Sequence, residues 1–137
     1  MLGSERTYTS QLESTGRRLL GHQFGGVFAR DTLPPVLRSG HRGYIVNTDC
    51  LHDAQGGKPC GSGVHWLAVL DTDGQRLMSD PLGRAGKPQR RDLHRIHQPM
   101  WSVDDAEMQT TASTCGPRSI AALAVGLSDG KDAFLAI

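Results

Sequence analysis

Cys115, His65, Asp80 and Gln109 are the residues of this chain whose types could together break an amide bond. A thiol attacks, an imidazole takes its proton, a carboxylate orients the imidazole, and a carboxamide N–H steadies the oxyanion. Cys115 stands directly before a stretch in which Ile120, Leu123, Ala124 and Leu127 recur at helical spacing. Pro117 fits a helix only in its first turn, so the helix is expected to begin close to Cys115. A thiol there feels the positive end of the aligned peptide dipoles, which favours the reactive thiolate. Gly116 leaves room for a substrate backbone, and the Cys115 N–H is placed to meet an oxyanion. Gln109, six residues before the thiol, can add a second donor.

The base and the acid come together through a hairpin. Two apolar runs, HWLAVL (His65–Leu70) and QRLMS (Gln75–Ser79), flank Asp73-Gly74, the type of dipeptide that closes a two-residue turn. Thr72 then faces Gln75, and Leu67 faces Asp80. Side chains alternate along a strand, so His65 shares a face with Leu67 and Asp80, at a diagonal of about 7–8 Å. A slip of one residue would separate them, so the pairing depends on the turn. Taken singly, each residue has an ordinary structural explanation: a small buried cysteine, a core histidine, an aspartate forming a turn before Pro81. All four roles appearing once each is the more specific signal.

Other elements are predicted more loosely. Ser10 and Glu13 have capping-box spacing before a short helix through Leu19 and Leu20, which Gly16 weakens. Phe24 to Pro35 is expected to be ordered but irregular. Gly43 to Thr48 is expected to be a buried strand. Residues 49–63 form a polar, glycine-rich loop, residues 84–99 a basic loop or irregular helix, and Trp101 to Thr114 an irregular or partly extended segment.

The bulk numbers frame this as one globular domain over residues 1–137. Apolar residues make up 37% and charged residues 21%, against a disordered chain. The net charge of +1 supplies no global field toward nucleic acid or membrane. Apolar runs are too short to span a bilayer, and MLGSERTYTS has no signal-peptide core, so an intracellular, non-secreted protein is expected. Three cysteines, Cys50, Cys60 and Cys115, do not make a disulfide framework. Cys50, His52 and Cys60 match no common zinc spacing, so no metal is expected.

The motifs resemble those of the adenovirus-type cysteine peptidases, which share a fold with the Ulp/SENP-type deconjugating peptidases. GSGVHWLAVL (Gly61–Leu70) resembles the strand carrying the catalytic histidine, and DPLG (Asp80–Gly83) the acid and its turn. QTTASTCG (Gln109–Gly116) resembles the oxyanion glutamine, a small polar linker and the Cys-Gly before a helix. YIVNTD (Tyr44–Asp49) and FGGVFARDTLP (Phe24–Pro34) are similar to segments of viral and mobile-element members. Asp80 departs from the glutamate of the adenoviral enzyme and agrees with the Ulp branch, and the chain is short after the nucleophile. The resemblance implies an α+β fold, with a small mixed sheet packed against the helix that starts at Cys115. It implies cleavage after small residues, of Gly-Gly or Gly-X type, by His65, Asp80, Gln109 and Cys115, with Trp66 and Gly116 lining the substrate cleft.

For partners, the resemblance implies a polypeptide substrate, such as viral capsid or core precursors, cleaved in a host nucleus or virion, and a monomer is expected. No cofactor is required by the sequence. DNA or an activating peptide enters through the resemblance alone. The basic residues Arg84, Lys87, Arg90, Arg91 and Arg95 are the candidate nucleic-acid contact, although such a run is ordinarily a solvated face. No aromatic residue interleaves it, so base stacking is not expected. Two rival readings share the motifs: a deconjugating peptidase for ubiquitin-like proteins, and a catalytically idle binding module.

Overall fold

The computed structural model of the chain describes residues 9–47, 66–81, 91–102 and 115–137, with the side chains of Thr9, Asp92 and Cys115 left aside. Its centre is a mixed five-stranded sheet in the order β1-β2-β3-β4-β5. The strands are β1 (Phe24–Ala29), β2 (His41–Asn47), β3 (Trp66–Thr72), β4 (Gln75–Ser79) and β5 (Met100–Trp101). β2, β3 and β4 run antiparallel, while β1 and β5 add in parallel at the two sides. The described helices are α1 (Thr9–Leu20), α2 (Arg91–His97), α3 (Cys115–Asp129) and α4 (Lys131–Leu135). The α+β class and the mixed sheet packed on the helix that begins at Cys115 are therefore as the resemblance implies.

The hairpin forms in the expected register. Thr72 pairs with Gln75, and the ladder continues to Ala68 opposite Ser79. Asp73 and Gly74 both have positive φ, 47° and 86°, as a type I′ turn requires. Asp73 also accepts from the Gly40 N–H through Oδ1, and its own N–H donates to the Gly40 carbonyl, which joins the turn to the entry of β2.

Alternation along these strands divides the core in two. Ile45, Trp66, Ala68, Leu70 and Leu77 face a cluster with Leu12 of α1, Ile120 and Leu123 of α3, and Phe134 of α4. Tyr44, Val46, Leu67, Val69 and Met78 face the other way, onto Leu33 and Leu93 of α2. With β3 buried along its whole length, its apolar run is explained by helices on one face and α2 with the Leu33 loop on the other.

Several expectations need correction. Phe24 to Ala29 is a strand, not an irregular segment. The Gly25-Gly26 pair hides its pattern, and the pairing with β2 shifts register between Phe24 and Gly26. A Cβ on Gly25 would run into the Tyr44 ring, so the weak strand former is demanded by packing. Gly16 does not weaken α1 beyond use, because a side chain there would collide with the Phe24 ring. The helix runs from Thr9, so Ser10 lies within it and not ahead of it. Ala124 points to solvent, and the buried stripe of α3 is Ser119, Ile120, Ala122, Leu123 and Gly126. Trp101, by contrast, is extended as one of the two alternatives for its segment allows, since β5 pairs with Leu77 and Met78. α2 realises the helical alternative for part of the basic segment. It ends where Gln98 takes positive φ and its N–H returns to the His94 carbonyl, just before Pro99.

Candidate active site

α3 begins at Cys115, as Pro117 in its first turn dictates. Fifteen residues of aligned peptides place partial positive charge at this end, and no acidic residue in the first turn offsets it. Arg118, exposed one turn into the helix, adds charge of the same sign. Gly116 is buried and Pro117 half-buried, so the helix start is packed against the body of the protein.

That start is docked at the beginning of β3. Ser119, one turn after Cys115, donates its hydroxyl to the Trp66 carbonyl at 3.3 Å. Trp66 adjoins His65 in the chain and packs its indole, 3% exposed, into the cluster beneath α3. Core packing is thus the observed role of Trp66. Asp80 follows the last residue of β4 and is buried at 7% exposure. It stands one step beyond the Ala68–Ser79 pair, the step at which Leu67 would be opposite it. The neighbouring Ser79 accepts a hydrogen bond from the Ser102 hydroxyl at 3.1 Å, and the Ser102 N–H donates to the Met78 carbonyl at 2.9 Å. The end of the sheet carrying Asp80 is therefore pinned to the strand at its side.

The backbone thus brings three of the predicted neighbourhoods to one end of the sheet: the start of α3, the start of β3 and the end of β4. His65, Gln109, Arg84, Lys87, Arg90, Cys50, His52 and Cys60 lie outside the described residues, as does the Cys115 side chain. Arg91 and Arg95 are on α2, both exposed. Among the described residues, no group of three or more His, Cys, Asp or Glu could hold a metal ion, and no helix is long and apolar enough to cross a membrane.

Sequence reasoning missed a second polar cluster on the face away from α3. The Arg76 guanidinium grips the Asp71 carboxylate with two bonds of 2.7 Å, and both side chains are buried. A further Arg76 N–H donates to His97 Nδ1 of α2 at 3.0 Å, and the guanidinium carbon lies 5.9 Å from the Tyr44 ring centroid. Since arginine only donates, His97 is neutral at Nδ1. Burial first, and the Arg76 charge second, lower the His97 pKa below the ordinary imidazole value, with Asp71 opposing them. Burial, assisted by Asp71, raises that of Tyr44. A charged pair flanking a tight turn, Asp71 and Arg76 around Asp73-Gly74, was the available signal. Such pairs are ordinarily solvated, so the spacing alone does not point to a buried pair.

By sequence, no family model and no curated protein matches the chain. By structure, the chain is similar to the ASFV pS273R protease, with a TM-score of 0.52 over 98% of this chain and 14% identity. At that identity the likeness is one of fold: the sheet and helices described here are arranged as in that protease. The chain spans 63% of the length of the ASFV protein.

Proposed function

We propose that this chain is a cysteine endopeptidase with Cys115 as nucleophile, His65 as base, Asp80 as orienting acid and Gln109 as oxyanion donor. The observation that carries the reading is the docking of the Cys115 helix at the residue after His65, in a fold shared with a protease. His65 takes the proton of the Cys115 thiol, and the thiolate attacks the substrate carbonyl carbon. The oxyanion is met by the Cys115 N–H and the Gln109 carboxamide. The amide nitrogen leaves with the proton from the imidazolium, giving a thioester. Water, deprotonated by His65, then attacks the thioester, releasing the carboxylate product and restoring the thiol. Asp80 holds the imidazole tautomer throughout.

The substrate we propose is a polypeptide cut after small residues, in the manner of adenovirus-type enzymes that process viral or mobile-element precursors. Trp66 and Gly116 would border the cleft. The basic residues Arg84, Lys87, Arg90, Arg91 and Arg95 would contact nucleic-acid phosphates, and the protein would act inside the host cell or virion.

Co-expression with structural precursors, followed by mass spectrometry of the fragments, tests the peptidase. New termini after small residues are expected with the wild type and none with Cys115→Ala. Cleavage that persists in Cys115→Ala would overturn the assignment. Gln109→Ala is expected to slow turnover by roughly 10²–10³ while leaving thiol alkylation unchanged. Ready reaction with a ubiquitin-like vinyl sulfone would move the substrate class to deconjugation. Charge reversal at Arg90 and Arg91 should flatten the salt dependence of any DNA binding.

A further inference from the structure

The peptidase scheme does not use the Ser119 hydroxyl, although its place is unusual. The residue is fully buried at 0% exposure, where α3 meets the start of β3. Around it the contact of α3 with the sheet is apolar, with Ile120, Ala122 and Leu123 clustered with Trp66, Ala68 and Leu70. Apolar burial is non-directional, so by itself it leaves the seating of a helix on a sheet some freedom. A hydrogen bond from Ser119 to the Trp66 carbonyl removes that freedom at one point. The point is close to the proposed chemistry on both sides. Cys115 stands one turn away along the same helix face, about 6 Å along the axis. His65 is the residue before Trp66 in the chain.

We propose that Ser119 is a positioning residue of the peptidase site. Its bond to the Trp66 carbonyl fixes the start of α3 against the residue that follows His65 in the chain, and through it the readiness of the thiol to give its proton to the imidazole. The role rests on the peptidase reading above. Ser119 touches no substrate, and its effect is exerted only through the two residues it spaces.

The test compares Ser119→Ala and Ser119→Thr with the wild type, in full-length chain, by peptide turnover and by the pH profile of iodoacetamide labelling at Cys115. Ala removes the donor and keeps the small buried side chain, while Thr keeps the hydroxyl. With Ser119→Ala, kcat is expected to fall roughly 10–10²-fold with KM little changed, the scale on which small misplacement costs rate. Its labelling profile is expected to move to higher pH, because the thiolate loses its closely held imidazolium. Ser119→Thr should restore both. A Ser119→Ala protein that melts earlier but keeps the wild-type kcat and labelling profile would show the hydroxyl to be structural and overturn the proposal. A different result separates the underlying reading: wild type that cleaves nothing and labels Cys115 no faster than Cys50 or Cys60 removes the peptidase and, with it, this role.

Discussion

Against one face of the sheet, α3 lays Ile120, Ala122 and Leu123 over Trp66, Ala68 and Leu70, with a single serine hydroxyl among them. Against the other, His97 of α2 and Tyr44 surround a buried guanidinium–carboxylate pair, beside Leu67, Val69, Met78 and Leu93. The first contact is strong but without direction, and it carries the helix that the nucleophile begins. The second is directional and costly to disturb, and it lies nearer the hairpin turn than the proposed site. The difference teaches where this fold tolerates change. Apolar contacts under α3 can be trimmed in proportion to the area removed, whereas the ion pair is stable only as a complete set.

The sharpest way to break the comparison is Arg76→Met. It leaves the Asp71 carboxylate buried without its partner and is expected to cost about 3–5 kcal/mol in denaturant unfolding. The double variant Asp71→Leu, Arg76→Met should be more stable than the single one, because no uncompensated charge remains. Should the double variant be the less stable, the pair would be contributing net stability and the contrast between faces would weaken. On the apolar side, Leu123→Ala is expected to cost about 2–5 kcal/mol, since the side chain is fully buried and leaves a cavity. That loss should be the same at neutral and mildly acid pH, as no titrating group is involved.

The smallest effect is a pH dependence confined to the charged face. The folded His97 pKa lies below the free-imidazole value of 6.5, because of burial and the Arg76 charge. The unfolded chain therefore binds a proton that the folded chain refuses. Stability is complete above the unfolded value and is lost as pH falls from there through the lower folded value. Unfolding followed across this window should show a slope that His97→Gln reduces. An unchanged slope would mean that His97 is not the group being charged.

Much of the hairpin and of α3 was legible in the residues themselves. Asp73-Gly74 adopts the two positive φ angles that such a dipeptide accepts most readily, and this alone sets the β3–β4 register. Pro117 and the apolar spacing after it set the start of α3. These are local effects, decided by sterics within a few residues. β1 was not legible, because its pairing with β2 comes from a neighbour far along the chain and its glycines are chosen to fit the Tyr44 ring. The buried state of Asp71 and Arg76 was likewise hidden, since it depends on distant partners, His97 of α2 and Tyr44 of β2, closing over the pair. For the candidate site, the sequence by itself determined the residue types and their order along the chain, and with the turn it determined which residues of β3 and β4 pair. Only the tertiary structure decided that the helix of Cys115 docks beside Trp66, because that contact joins segments 53 residues apart through packing and one hydrogen bond.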